Sequence, residues 1–159
     1  MPEFTDRHGQ KWQPDCNVTT GRRLRRELKL DVFSLLTDQD STLARLADDI
    51  ALCVDALWIL CEDQATARGL TDEDFGRAID AERYGEVQNA LVSALVDFTP
   101  PARRPALAAL WITVQKFQKD GTERAVRLIE SDATAAAIAR QMDAAEAAAT
   151  KEIATIIGG

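Results

Sequence analysis

Between residues 50 and 61 the chain holds one charged side chain, Asp55, among apolar residues and two cysteines. Asp48, Asp55 and Glu62 recur at seven-residue intervals, so on a helix they form one narrow stripe and leave nearly the whole circumference apolar. A helix of that kind has to be covered on most sides. The pattern therefore predicts a helical protein built around a central helix over 48–68, with Leu52, Val54, Leu57, Trp58, Ile59 and Leu60 inside and Gly69 as its stop. At twelve residues the apolar run is too short to span a membrane. The N-terminus has neither a basic start nor an apolar stretch, so no signal peptide is expected.

The remaining elements follow from local chemistry. Phe4 and Trp12 flank Asp6-Arg7-His8-Gly9-Gln10, which predicts a β-hairpin with a three-residue loop, Gly9 left-handed and Phe4 opposite Trp12. Such an aromatic pair contributes roughly 0.2–1 kcal/mol, so the hairpin must lie on something else. Thr19 or Thr20 is the expected N-cap of a short helix over 21–28 that carries Leu24 and Leu28 on one face. Asp31 is expected to cap a second short helix through Leu36. A polar connection over 37–41 follows, with Ser41 or Thr42 capping the segment to Ala47. Thr71, with acids behind it, opens a helix to about Ile79. Another runs over 82–97 with Val87, Leu91, Leu95 and Phe98 at helical spacing, and Pro100-Pro101 ends it.

Beyond residue 102 one helical face carries Leu107, Leu110, Trp111, Val114 and Phe117. Residues 119–122 read as a kink or a turn around Gly121. Val126, Leu128 and Ile129 belong to the stretch over 123–130. Ser131 or Asp132 caps a last helix to about Ile157, whose apolar stripe is Ile138, Met142, Ala145, Ala149, Ile153 and Ile156. Its spacing of 4, 3, 4, 4 and 3 makes a thin seam close to the coiled-coil kind. The fold class expected is mainly α: an N-terminal β-hairpin over 1–18, a multi-helix bundle over 19–131 and a long C-terminal amphipathic helix over 132–159.

Charge narrows the function. Residues 1–30 are net +3, residues 31–99 net −11 and residues 100–159 net +1, for a total of −7. An acidic middle argues against a general nucleic-acid binder and can steer a basic partner. Three cysteines, Cys16, Cys53 and Cys61, form no disulfide framework and no zinc spacing, which fits a reducing cytoplasm. The only histidine, His8, falls at a loop tip, where it reads as a solvated turn residue. Asp38-Gln39-Asp40 begins like a calcium loop, but Leu43 and Asp49 stand where glycine and glutamate are needed. No glycine-rich phosphate loop occurs. These observations predict no catalytic residue, no metal and no cofactor.

The candidate contact residues are therefore not chemical ones. Arg22, Arg23, Arg25, Arg26 and Lys29 form the densest local charge. They read first as a solvated face pairing with acids of the middle segment, then as a protein-partner surface, then as a phosphate-binding patch. Trp58, Trp111 and Phe117 can anchor a contact, yet each lies on an apolar face that favours core packing. The C-terminal seam, with Ile138, Met142, Ile153 and Ile156, docks on its own domain or pairs with another chain, a second copy included.

The order of segments resembles a family. The hairpin residues 4–12 lead to Val18-Thr19-Thr20-Gly21-Arg22-Arg23-Leu24-Arg25-Arg26-Glu27-Leu28 and Leu30-Asp31-Val32-Phe33. Then come Leu57-Trp58-Ile59-Leu60-Cys61, Gly69-Leu70-Thr71-Asp72-Glu73-Asp74-Phe75-Gly76 and Ala90-Leu91-Val92-Ser93-Ala94-Leu95-Val96-Asp97-Phe98, followed by the prolines. This layout, over roughly residues 4–105, resembles the tail assembly chaperones of long-tailed bacteriophages and prophages. The resemblance implies a small helical protein in the cytoplasm of the bacterial host. Such a protein binds the tape measure protein and the tail tube protein during tail morphogenesis and leaves no part in the particle. It carries no site residues across, and it does not extend to residues 102–159. The alternatives are a structural component of the particle, or a helical adaptor or regulator using the basic cluster over 22–29 on nucleic acid.

Overall fold

A computed structural model describes residues 1–37, 42–130 and 132–158. It is 76% helical, with seven α-helices and one two-stranded antiparallel hairpin among the described residues. The chain divides into two compact units, Met1–Gln118 and Lys119–Gly159.

The first unit opens with the hairpin of β1 (Phe4–Thr5) and β2 (Lys11–Trp12), in which Phe4 faces Trp12 as expected. Gly9 has φ +78°, and the Asp6 N–H donates to the Gln10 carbonyl at 2.9 Å. Phe4 and Trp12 are both buried and meet Phe75 edge-on, with ring centroids 6.4 and 5.0 Å away. The Arg68 guanidinium lies 4.2 Å from the centre of the Trp12 ring and donates to the Lys11 carbonyl at 2.8 Å. Docking thus secures a hairpin too short to persist alone.

Helix α1 (Val18–Leu28) starts earlier than the threonines suggest. Asn17 is the N-cap: its side chain accepts from the Thr20 N–H at 3.0 Å, and the Thr20 hydroxyl accepts from the Asn17 N–H at 2.9 Å. Asparagine caps at least as well as threonine, and this reciprocal arrangement uses Thr20 from inside the helix. The second short helix expected over 31–36 is absent. Asp31 Oδ1 accepts from the Phe33 N–H at 3.1 Å, and turn bonds from Ser34 to Asp31 and from Thr37 to Ser34 follow. The aspartate bonds its own local backbone, which competes with helix propagation. Val32 and Leu35 are buried all the same. Residues 38–41 of the polar connection, with the Ser41 cap and the Asp38-Gln39-Asp40 segment, fall outside the described residues, as does the Ser131 cap.

Helix α2 (Thr42–Asp48) stops where Asp49 caps α3 (Ile50–Ala67) by accepting from the Leu52 N–H at 3.0 Å. The central helix therefore begins two residues later than its polar stripe implies. Leu57, Ile59, Leu60, Cys53 and Cys61 are buried, while Leu52, Val54 and Trp58 are half-buried against the core. Thr71 and Asp74 form the capping box of α4 (Asp72–Ala78), which sends Phe75 into the core. After a 3-10 turn, Ala81–Arg83, α5 (Tyr84–Phe98) buries Val87, Leu91, Val92, Ala94 and Leu95.

The prolines introduce a second 3-10 turn, Pro101–Arg103, and then α6 (Arg104–Glu130). Leu107 and Trp111 are buried, and the Trp111 indole N–H donates to Asn89 Oδ1 at 3.2 Å. Phe117, expected on that face, is 83% exposed. At 3.6 residues per turn it sits roughly 80° around the helix from Leu107, at the rim of the buried stripe. The kink or turn expected over 119–122 is likewise absent, since α6 is helical through Gly121. A lone glycine costs a helix only about 1 kcal/mol. The chain ends in α7 (Asp132–Ile157). No helix among the described residues is long and apolar enough to cross a membrane.

Candidate functional site

The basic cluster on α1 is split by the helix. Arg23 turns toward the core side, where it pairs with Glu62 of α3 and with Glu27 at 3.2 Å. Its hydrogen bond to Glu62, reinforced by that to Glu27, holds the guanidinium above its usual basicity. Arg22, Arg25 and Arg26 point outward, and of these only Arg26 approaches a carboxylate among the described residues, Glu27 at 3.5 Å. One arginine thus braces α1 on α3, and three present charge to solvent.

The C-terminal seam is open along its length. Ile138, Met142, Ile153 and Ile156 on α7 are 54, 68, 57 and 74% exposed. Ala145 and Ala149 between them are exposed too. Such a row of large and small apolar side chains on one helix face is of the kind that packs between helices.

The three cysteines are governed by burial. Burial pushes the Cys16 and Cys61 thiols up to about 12 and that of Cys53 to about 11, so all three stay protonated near neutrality and are poor nucleophiles. His8 is exposed at the loop tip, and its N–H donates to Asp6 Oδ1 at 2.8 Å. No group of three potential metal-ligating side chains occurs among the described residues.

Two features escape the sequence reading. Asp6, placed merely opposite Gln10, is a buried carboxylate that accepts from the amides of His8 and Gln10 and, at 2.9 Å, from the Trp12 indole. Burial pushes its carboxyl up, but these hydrogen bonds outweigh that and leave it below the ordinary carboxylate value. An aspartate opening a hairpin loop six residues before a tryptophan was the available signal.

The second is a half-open apolar cavity of about 310 Å³, with Val18, Phe33, Leu36, Phe98, Pro100 and Arg103 in its wall. The turns over 32–37 supply one side, and the end of α5 with its proline turn supplies the other. Phe33 and Phe98 meet edge-on at 5.7 Å, and a Cβ added at Gly21 would come within 3.0 Å of the Phe33 ring, so α1 packs directly behind it.

Compared with known protein families, with curated proteins and with solved structures, the chain matches none of them.

Proposed function

We propose that this chain works by binding other proteins and carries out no chemistry, as an assembly chaperone of the phage-tail kind. In this reading it holds helices of the tape measure protein, and engages the tail tube protein, while the tail is built in the bacterial cytoplasm. The observation that carries the reading is the exposed seam of α7, from Ile138 to Met142, Ile153 and Ile156. A chaperone for an extended helical client needs apolar side chains within reach and charge to stay dispersed, and a net charge of −7 supplies the second. The segment order over residues 4–105 supplies the link to tail assembly.

The test is co-expression of the full chain with a tape measure fragment that aggregates alone. The soluble fraction of the fragment should rise several-fold. The double variant Ile138→Asp/Ile153→Asp should lose that effect while keeping its own helical content. A fragment equally insoluble with and without the chain, or equally rescued by the double variant, would overturn the reading. A salt-sensitive gel shift with DNA that vanishes in Arg22→Ala/Arg26→Ala would instead favour a regulator.

A further inference from the structure

The cavity beside Phe33 has a recognition chemistry of its own. Part of its backbone is already bonded: the Thr99 N–H donates to the Leu95 and Val96 carbonyls, and the Thr99 carbonyl accepts from Arg104 Nε at 2.9 Å. The Ser34 and Thr37 amides are taken up by the Asp31 and Ser34 carbonyls. None of these groups is left for a strand to pair with, which favours an occupant whose backbone is bonded internally, as in a helix. A volume of about 310 Å³ is at the small end for organic ligands and suits two large apolar side chains, such as those one turn apart on a helix.

The rim decides the charge of the occupant. Arg103 lines the opening, and the Arg25 guanidinium lies 5.3 Å from the centre of the Phe33 ring. Among the described residues neither has a carboxylate partner, whereas Arg23, Arg77 and Arg127 each do. Arg25 and Arg103 thus place two cations beside the apolar cavity, with no carboxylate among the described residues within ion-pair distance of either. That is the complement of an acidic surface rather than of a basic one.

We propose that this cavity binds an acidic amphipathic helix of a partner protein. Two apolar side chains one turn apart seat against Phe33 and Phe98, and aspartate or glutamate beside them meets Arg25 and Arg103. The assignment stands apart from any client of α7, since every residue it uses lies in the first unit.

Fluorescence anisotropy of the full chain with a labelled stapled helix tests it, the helix carrying leucine and phenylalanine one turn apart and glutamates alongside. Binding should weaken as salt rises, and Arg103→Glu should weaken it about tenfold. The same helix with lysines in place of glutamates should bind Arg103→Glu better than it binds the native chain. Leu36→Asp, a change at an exposed position, should remove binding, and Ile153→Asp on α7 should leave it unchanged. Equal affinity for glutamate, glutamine and lysine helices would overturn the proposal. So would indifference to Leu36→Asp, or occupation by laurate with no peptide binding at all.

Discussion

Helices α3 and α7 both draw on alanine and isoleucine, yet one is largely hidden and the other bare. Four helices, α1, α2, α4 and α5, pack around α3. Its apolar residues spread around most of its circumference, and packing on several sides buries most of them. The larger apolar side chains of α7 fall mostly along one seam, Ile138, Met142, Ile153 and Ile156, and that seam is exposed. The difference lies both in how many large apolar side chains there are and in where they sit. A helix apolar all round can be stable only inside a core, whereas a helix apolar along one line needs a single neighbour.

This contrast can be broken first in the core. Leu57→Ala, at a side chain with no exposed surface, should cost about 2–5 kcal/mol in urea denaturation. A loss below 1 kcal/mol would mean that α3 is not the keystone described here.

The next effect is smaller and depends on pH. Asp6→Asn turns one amide N–H against the indole N–H of Trp12 and should cost about 1–3 kcal/mol near neutrality. The folded carboxyl lies below its ordinary value, so its stabilisation is present above about pH 3.9 and is lost as the pH falls through the folded value. The gap between native chain and variant, followed by thermal melts, should therefore narrow on acidification. A gap that widens in acid would contradict the hydrogen-bonding described for Asp6.

The smallest effect sharpens the contrast from the other side. Ile153→Ala on α7 should change the stability of the chain by no more than about 0.5 kcal/mol, because an exposed side chain has little burial to lose. A cost like that of Leu57→Ala would show that the seam is covered within the chain itself.

Much of this architecture was legible in the residues. The facing pair Phe4 and Trp12, the left-handed Gly9, the Thr71 cap and the stop after Phe98 each depend on chemistry confined to a few neighbouring positions. The failures share a cause as well. Asp31 had two local uses for its carboxylate, capping a helix or closing a turn, and only packing on Val32 and Leu35 decides between them. Residues 119–122 read as a kink or a turn around Gly121, yet α6 continues through them. Phe117 had the right spacing but lay at the edge of the stripe, where a shift of a few tens of degrees separates core from solvent. Among the candidate contact residues, the exposure of the α7 seam and the outward Arg22 and Arg26 agree with a surface role, and Arg23 is claimed by Glu62. The Phe33 cavity was not legible, because its walls come from segments far apart in the chain.

The spacing along α7 carries a geometric consequence. Ile138 and Ala149, Met142 and Ile153, Ala145 and Ile156 are each eleven residues apart. An eleven-residue period corresponds to about 3.67 residues per turn, slightly looser than a free helix and opposite in sense to the heptad. The line of contact therefore climbs almost parallel to the helix axis with a faint right-handed drift. A companion lying along it would run as a nearly straight rod beside α7, without the left-handed wrapping of an ordinary two-stranded coil.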